Sequence, residues 1–119
     1  MKLNQDFAMS VETILYLKNK KTTEYTQSAE IAKTLDFSVG YLQKVMQTLG
    51  RHGILECKRG RIGGVKIRAR VVTLLDLWNA TCGGLDFTDP DLAIMEKPLK
   101  AFGDAMSKVV IYSKAKDAR

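Results

Sequence analysis

A stripe of apolar residues at helical spacing, within residues 38–53, constrains the fold of this chain more than any other feature. Its members lie at i, i+3, i+4 and i+7, and they are Leu42, Val45, Met46 and Leu49. This is the spacing of a helix with one buried face. Ser38 stands at the N-cap position, where its hydroxyl can accept a bond from an early helix N–H. Gly53 follows the last turn, as a C-terminal glycine does.

The opposite face of this helix carries polar groups and no acid. It consists of Gly40, Tyr41, Gln43, Lys44, Gln47 and Arg51. Residues 28–35 predict a second short helix, capped by Thr26 or Ser28, and residues 36–38 turn the chain between the two helices. Two short helices joined by a turn of this length are typical of a helix-turn-helix. The acid-free face is therefore a candidate recognition surface for DNA.

Two short segments of alternating apolar and polar residues, 54–59 and 65–68, predict half-buried strands downstream. The glycine-rich residues 60–64 predict a hairpin turn between them, with Arg59 on its shoulder and Arg61 within it. A basic hairpin tip can lie along a DNA backbone or place an arginine in the minor groove. Helix, turn, helix and basic hairpin together predict a winged helix-turn-helix that binds DNA.

Three motifs in this region resemble those of a known family. They are Ser38-x-x-Tyr41-Leu42, Leu49-x-x-x-Gly53-Ile54 and Arg59-Gly60-x-x-Gly63-Gly64. Through them the chain is similar, over roughly residues 1–83, to the Rrf-type winged-helix transcription regulators, the family of IscR, NsrR and CymR. The opening of the chain and residues 73–76 fit the same pattern. Arg61, Ile62 and Val65 stand where the family more often has proline, glycine and tyrosine, which affects how the wing meets DNA.

The resemblance implies a transcription regulator, more often a repressor. The sensing members of this family hold an iron–sulfur cluster. In those members three closely spaced cysteines lie in the loop before the dimerisation helix, together with one other ligand. This chain has only Cys57 and Cys82, and residues 85–97, which match that loop, hold neither cysteine nor histidine. Because a cluster needs thiolate ligands, we expect no cofactor and no metal. The small-molecule or redox signal is left open.

Each cysteine allows two interpretations. Cys82 lies where the DNA-binding part of the chain meets the C-terminal part, and it is either a small buried hydrophobe or a candidate redox thiol. Cys57 alternates with Leu55 on the inward side of a predicted strand, which favours burial as an apolar group. The sequence alone does not decide whether Cys82 senses anything.

A second apolar stripe lies near the end of the chain. It consists of Leu92, Met95, Leu99, Phe102, Met106 and Val109. The spacings alternate between three and four, as in a heptad seam, so we expect a long helix that packs on its symmetry mate. The alternative is a helix folded back on its own domain. A preceding helix should begin at Thr73, with Asp76 completing a capping box, and should end at Cys82.

Together these elements predict a mostly α fold with a small β-hairpin. Residues 1–84 should form the winged helix-turn-helix domain, and residues 85–119 a loop and a long C-terminal dimerisation helix. The 119 residues supply one core. Nineteen Lys and Arg against thirteen acids give a formal net charge of +6, which suits a polyanionic partner. Because no apolar run approaches the roughly 18 residues of a membrane span, we expect a cytoplasmic protein.

We predict that both helices and the wing contact double-stranded DNA. Phosphate contacts are assigned to Thr26, Ser28, Lys33, Tyr41, Lys44 and Arg51, and the Ser38 cap, Arg59 and Arg61 belong to the same surface. Base edges are assigned to Gly40, Gln43 and Lys44, because glutamine pairs with adenine and lysine with guanine. The competing hypotheses are a protein-interaction module and a general nucleic-acid coat. The single histidine and the missing nucleophile–base pair argue against an enzyme.

Overall fold

The computed structural model describes residues 5–83 and 96–114, which form helices and two small antiparallel sheets. The helices are α1 (Gln5–Lys20), α2 (Ser28–Leu35), α3 (Val39–Arg51), α4 (Leu74–Cys82) and α5 (Glu96–Ser107). The strands are β1 (Leu55–Lys58), β2 (Gly64–Ile67), β3 (Val71–Thr73) and β4 (Val110–Ser113). The predicted mostly α fold with a winged helix-turn-helix is confirmed. None of the described helices has the length and hydropathy needed to cross a membrane.

One apolar core joins the first four helices. All four members of the α3 stripe are buried, and Ile31 and Leu77 are completely buried in the same core. The Ser38 hydroxyl accepts a hydrogen bond from the Tyr41 N–H at 3.4 Å, which confirms the predicted N-cap. Gly53, just past the end of α3, has a positive φ of 75°. The conformation suits a C-terminal glycine, so both ends of α3 were correctly predicted from the sequence.

A backbone bridge between Thr26 and Val65 connects the helix-turn-helix to the wing. Strands β1 and β2 form the antiparallel hairpin of the wing, and Thr26 pairs with Val65 on its other edge. Each of these two residues donates its N–H to the carbonyl of the other at 2.8 Å. Gly64 lies beside the bridge with a φ of 132°, and a Cβ on it would stand 2.2 Å from the Thr26 carbonyl oxygen. The close approach therefore requires glycine.

The caps of α2 and α4 differ in kind. The N-cap of α2 is Gln27, which forms no side-chain capping bond, so the prediction of a Thr26 or Ser28 cap is wrong. The backbone of Thr26 is committed to the wing, and Ser28 is already the first helical residue. At α4 the predicted capping box is confirmed. The Thr73 N–H donates to the Asp76 carboxylate at 2.9 Å, and the Asp76 N–H donates to the Thr73 hydroxyl at 3.1 Å.

The C-terminal helix is shorter than predicted and is followed by a strand. Helix α5 ends at Ser107, and β4 pairs with β3 so that Tyr112 lies opposite Val72. Val109, predicted as the last member of the helical seam, lies beyond the helix, and its carbonyl accepts the Leu74 N–H at 2.9 Å. The β-branched run at 109–111 favours a strand, and β3 offers it backbone partners. The prediction of a long helix through this position is therefore wrong.

Two members of the predicted seam pack inside their own chain. Met106 is 7% exposed and belongs to the core. The Phe102 ring meets Trp78 edge-on with centroids 5.2 Å apart, although Phe102 remains 40% exposed. Met106 and Phe102 therefore follow the alternative prediction, in which the helix folds back on its own domain, because α4 offers them an apolar surface. Leu92 and Met95 lie outside the described residues, and the division of the chain at residue 84 stays a prediction.

We expect Gly64→Ala to destabilise the fold by roughly 2–5 kcal/mol, because the left-handed conformation and the Thr26 carbonyl both oppose a Cβ. Gly60→Ala is the matched control, since Gly60 also has a positive φ, of 106°, but a Cβ there would meet nothing within 4 Å. It should lose only about 1–3 kcal/mol. Urea unfolding followed by circular dichroism measures both, and equal losses would contradict the role given to the bridge.

Candidate nucleic-acid interface

An open cleft of about 490 Å³ lies between α3 and the wing, and we call it the recognition cleft. Helix α3 lines it with Gln43, Met46 and Gln47, and the wing lines it with Lys58 and Arg59 among others. The segment 27–29 at the start of α2 closes a third side. None of the residues that line this cleft is acidic. Amide groups and two cations therefore face the space between the recognition helix and the wing.

The first turns of α3 are open to solvent at the positions predicted to read bases. A Cβ added to Gly40 would meet nothing within 4 Å, so the backbone there is free to approach a partner closely. The Gln43 side-chain amide donates to the Ser28 hydroxyl at 3.3 Å, which positions it against the start of α2. Gln47, one turn further along, lines the same cleft. The predicted contacts Ser28 and Gln43 are thus brought together, and both face the wing.

The wing tip is held by a residue that sequence reasoning missed. The side-chain amide of Gln27 donates to the main-chain carbonyl of Arg61, and the Gly63 N–H donates to the Gly60 carbonyl at 3.0 Å within the turn. The side chains of Arg59 and Arg61 are exposed, as a DNA contact requires. No local signal could have identified Gln27, because its partner lies 34 positions away in the sequence.

Tyr41 and Lys44 lie on another side of α3, next to an acid from α1. They share a surface depression with Gly40 and Asp6. The Tyr41 hydroxyl donates to the Asp6 carboxylate, and this bond is the main reason that the pKa of Tyr41 is raised. The acid-free description therefore holds for the helix itself but not for its surroundings. Asp6 is 35 positions away in sequence, beyond the reach of any local pattern.

Other predicted contacts lie in different surroundings. Thr26 is 1% exposed and its hydroxyl has no hydrogen-bond partner, so a phosphate contact from this side chain does not fit its position. Arg51 and Lys33 are exposed. The Arg51 guanidinium donates to the Thr48 hydroxyl at 3.2 Å. Arg51 stands eleven residues after Gly40, which is about 16 Å along the helix axis, so these two cannot read the same base pair.

Cys57 lines the recognition cleft instead of being buried. Its sulfur points towards α3, 3.7 Å from the Met46 carbonyl oxygen, as the predicted strand alternation requires. The residue is nevertheless exposed, so the expectation of a buried apolar cysteine is wrong. Partial burial of the sulfur raises the pKa of the Cys57 thiol. The thiolate, which is the form that reacts and binds metals, is correspondingly less populated.

The outer face of the wing carries an aromatic and cationic cluster. The ammonium groups of Lys66 and Lys58 lie 4.7 and 5.5 Å from the centre of the Tyr25 ring, within the range of cation–π attraction. The Tyr25 hydroxyl donates to the Glu56 carboxylate. This bond, and then the charges of Lys66, Arg68 and Lys58, lower the pKa of Glu56. The wing therefore has one face towards the recognition cleft and another that is itself strongly basic.

A helix-turn-helix tied to a two-stranded wing, with an acid-free cleft between them, defines the winged-helix class of transcription regulators. The family described as "Rrf2: Iron-dependent Transcriptional regulator" matches residues 3–110. The chain belongs to this family, which confirms the resemblance found in the sequence.

Known proteins support the same placement. The chain is 33% identical over 67 residues to the HTH-type transcriptional regulator NsrR of Bacillus licheniformis, a match that covers 56% of this chain and 47% of that protein. The chain thus spans about half the length of this relative. The structure of CymR, the global cysteine regulator of B. subtilis, covers 93% of both chains with a TM-score of 0.74 at 19% identity. IscR of T. potens covers 100% of this chain and 89% of its own, with a TM-score of 0.76 at 20% identity.

The two cysteines of this chain and its other described residues do not fit the iron–sulfur cluster that the resemblance implied for sensing members of the family. Cys57 lies on β1 of the wing, Cys82 at the end of α4, and His52 at the C-terminal cap of α3. Across residues 5–83 and 96–114, no three His, Cys, Asp or Glu side chains come together in a way that could hold a metal ion. Cys82 is half-buried, with its sulfur 3.6 Å from the Thr81 hydroxyl. Its role as a redox thiol stays a prediction.

Proposed function

We propose that this chain is a cytoplasmic repressor that binds double-stranded DNA as a homodimer at palindromic operators. The observation that carries the proposal is the recognition cleft, where the exposed face of α3 and the basic wing border one acid-free space. Family membership supports transcription regulation. A net charge of +6 supports attraction to a polyanion.

Base readout is assigned to the start of α3. Gln43 presents an amide that can bond both N6 and N7 of adenine, and Lys44 presents an ammonium suited to O6 and N7 of guanine. Gly40 leaves room for a base edge, since a Cβ added to this residue would have no atom within 4 Å. The bond from Gln43 to Ser28 limits the rotamers of the amide. The Gln43 side chain therefore loses less conformational entropy when it binds a base.

Phosphate contacts are assigned to Ser28, Lys33, Tyr41, Lys44 and Arg51. For Tyr41 this assignment has a chemical condition, because its one O–H now donates to Asp6. A carboxylate and a phosphate are both acceptors, so the hydroxyl cannot donate to the two at once. Binding of a phosphate at this position therefore replaces the Asp6 bond.

The wing supplies the remaining contacts. Arg59 and Arg61 are exposed at its tip, where Gln27 holds the main chain of Arg61. Ile62, which follows Arg61 in the turn, is 80% exposed. A basic tip with an aliphatic residue matches the composition that proteins use in the minor groove. We assign the wing tip to the minor groove beside the major-groove site of α3.

Dimerisation is assigned to apolar side chains that remain exposed near the C-terminus. Phe102 on α5 is 40% exposed, and Val109 and Val110, before and within β4, are 44% and 51% exposed. Leu99 is half-buried on the same helix as Phe102. A two-fold dimer sets two recognition helices about 34 Å apart, so that they enter successive major grooves. Two half-sites bound together then supply specificity that one alone cannot.

Two substitutions separate readout from phosphate contact on an operator obtained by in vitro selection. Gln43→Ala should cost about 1–3 kcal/mol on that operator and relax the preference at one base pair of each half-site. Arg51→Ala should weaken binding to every sequence alike. It should also reduce the slope of the logarithm of the binding constant against the logarithm of the salt concentration by about one for each half-site. Fluorescence anisotropy with operator and random DNA measures both effects. The assignment of roles is wrong if both variants lose affinity on the two DNAs in the same ratio.

We expect Phe102→Glu to convert the dimer into a monomer, because a dimer interface would bury its unpaired charge. Sedimentation velocity measures the change, and Lys100→Glu, at an exposed site on the same helix, should leave the dimer intact. Since Phe102 also packs on Trp78, thermal unfolding shows whether the variant is folded. If it is not, Val110→Lys tests the same surface. A folded Phe102→Glu or Val110→Lys protein that stays dimeric contradicts the assigned interface.

A further inference from the structure

A second cavity, of about 320 Å³, lies at the base of the wing and is surrounded by cations. The cations are Lys18, Lys21, Lys66, Arg68 and Lys114, and Glu24 is the one acid among the residues that line it. They come from the end of α1, from the second wing strand and the residue after it, and from the residue that follows β4. This cavity shares no lining residue with the recognition cleft. The function proposed above therefore leaves it unexplained.

Five cations surround this cavity, and the acids near them are Glu24, which lines it, and Glu56, whose pKa is lowered in part by the charges of Lys66 and Arg68. Within residues 5–83 and 96–114, Lys20 forms an ion pair with Glu30 at 2.7 Å, and none of the five cations around the cavity takes part in an ion pair or a side-chain hydrogen bond. Lys66 contacts the Tyr25 ring instead. Like charges gathered around one cavity raise the potential inside it and attract anions.

The rest of the lining suits a small organic molecule. Leu17 is 7% exposed and, with Ile67 and Ala69, gives the cavity an apolar part. Hydroxyl groups come from residues 22 and 23 and from Tyr112. Lys21, the residue after α1, has the left-handed conformation, with a φ of 55°. Residues 21–24, the connector that follows the helix, form one wall of the cavity. Apolar walls with a few polar groups are typical of ligand sites.

We propose that this cavity binds a small polyanion that carries two or more phosphate or carboxylate groups. The volume is at the lower end of the range of small-molecule sites, about 300–1,000 Å³, which favours a compact metabolite. A DNA backbone is the competing ligand of the same charge. Two observations favour the small molecule. The cavity is enclosed by α1, the connector, the base of the wing and the residue after β4, and it shares no lining residue with the recognition cleft. The proposal does not depend on DNA binding.

Isothermal titration calorimetry tests the site with pyrophosphate and citrate as probes, on the full chain at constant ionic strength set with chloride. We expect saturable binding of at least one probe. Lys21→Gln combined with Arg68→Gln should weaken it about tenfold or more, because two charges facing the ligand are removed. The matched control combines Lys97→Gln, at the start of α5, with Lys108→Gln, just after its end, and both sites are exposed. It removes the same charge and should change affinity by less than about twofold.

Three results would overturn the proposal. The first is a wild-type protein that binds neither probe with a dissociation constant below about 1 mM. The second is equal weakening in the cavity variant and its control, which would indicate general surface charge. The third is a cavity variant that loses DNA affinity without any probe and has a smaller salt slope, which would make these cations DNA contacts.

The fold and the proposed function can be checked separately. Thermal unfolding shows whether the cavity variant is folded, and Lys18→Gln combined with Lys114→Gln replaces it if it is not. This second pair should weaken probe binding in the same way, and unchanged binding would count against the site. Because the calorimetry contains no DNA, a chain that binds the probes but no operator would contradict the proposed function and leave the anion site standing.

Discussion

The backbone pairing of Thr26 with Val65 is the constraint on which the rest of the structure depends. Its two hydrogen bonds of 2.8 Å fasten the segment before α2 to the second strand of the wing. Gly64 makes this approach possible because it has no Cβ to meet the Thr26 carbonyl. The next residue, Gln27, then reaches the wing tip. The recognition cleft exists because this joint fixes the distance between helix and hairpin.

The parts of the fold that could be predicted are those encoded by residues close together in sequence. The α3 stripe, the Ser38 cap and the Thr73–Asp76 capping box each involve positions at most seven apart, and all were predicted correctly. The β3–β4 pairing was missed because Val72 and Tyr112 meet only once the core has formed. A spacing of three and four over residues 92–109 fits a helix, and the local preference of the β-branched run at 109–111 for a strand was outweighed by it. The pairing with β3 shows that the helix ends at Ser107 and that a strand begins at Val110.

The candidate site was predictable in composition but not in arrangement. Gln43 and Arg59 were identified as contacts because their side-chain chemistry suits nucleic acid, and both line the recognition cleft. Thr26 was identified for the same chemical reason, yet it is buried, because the wing uses its backbone. Among residues 5–83 and 96–114, no donor set matches the iron that the family's description names, since Cys57 and Cys82 stand on separate elements. The cleft can contact DNA without any such group.

We propose that α3 and the wing form one sequence-specific DNA site, which a dimer uses twice. Footprinting of the purified protein across the genome from which the chain derives tests it most directly. We predict a small number of discrete protected sites, each with two inverted half-sites centred about 10 base pairs apart, one turn of DNA. Protection spread continuously along the genome, or sites without two-fold symmetry, would contradict the claim.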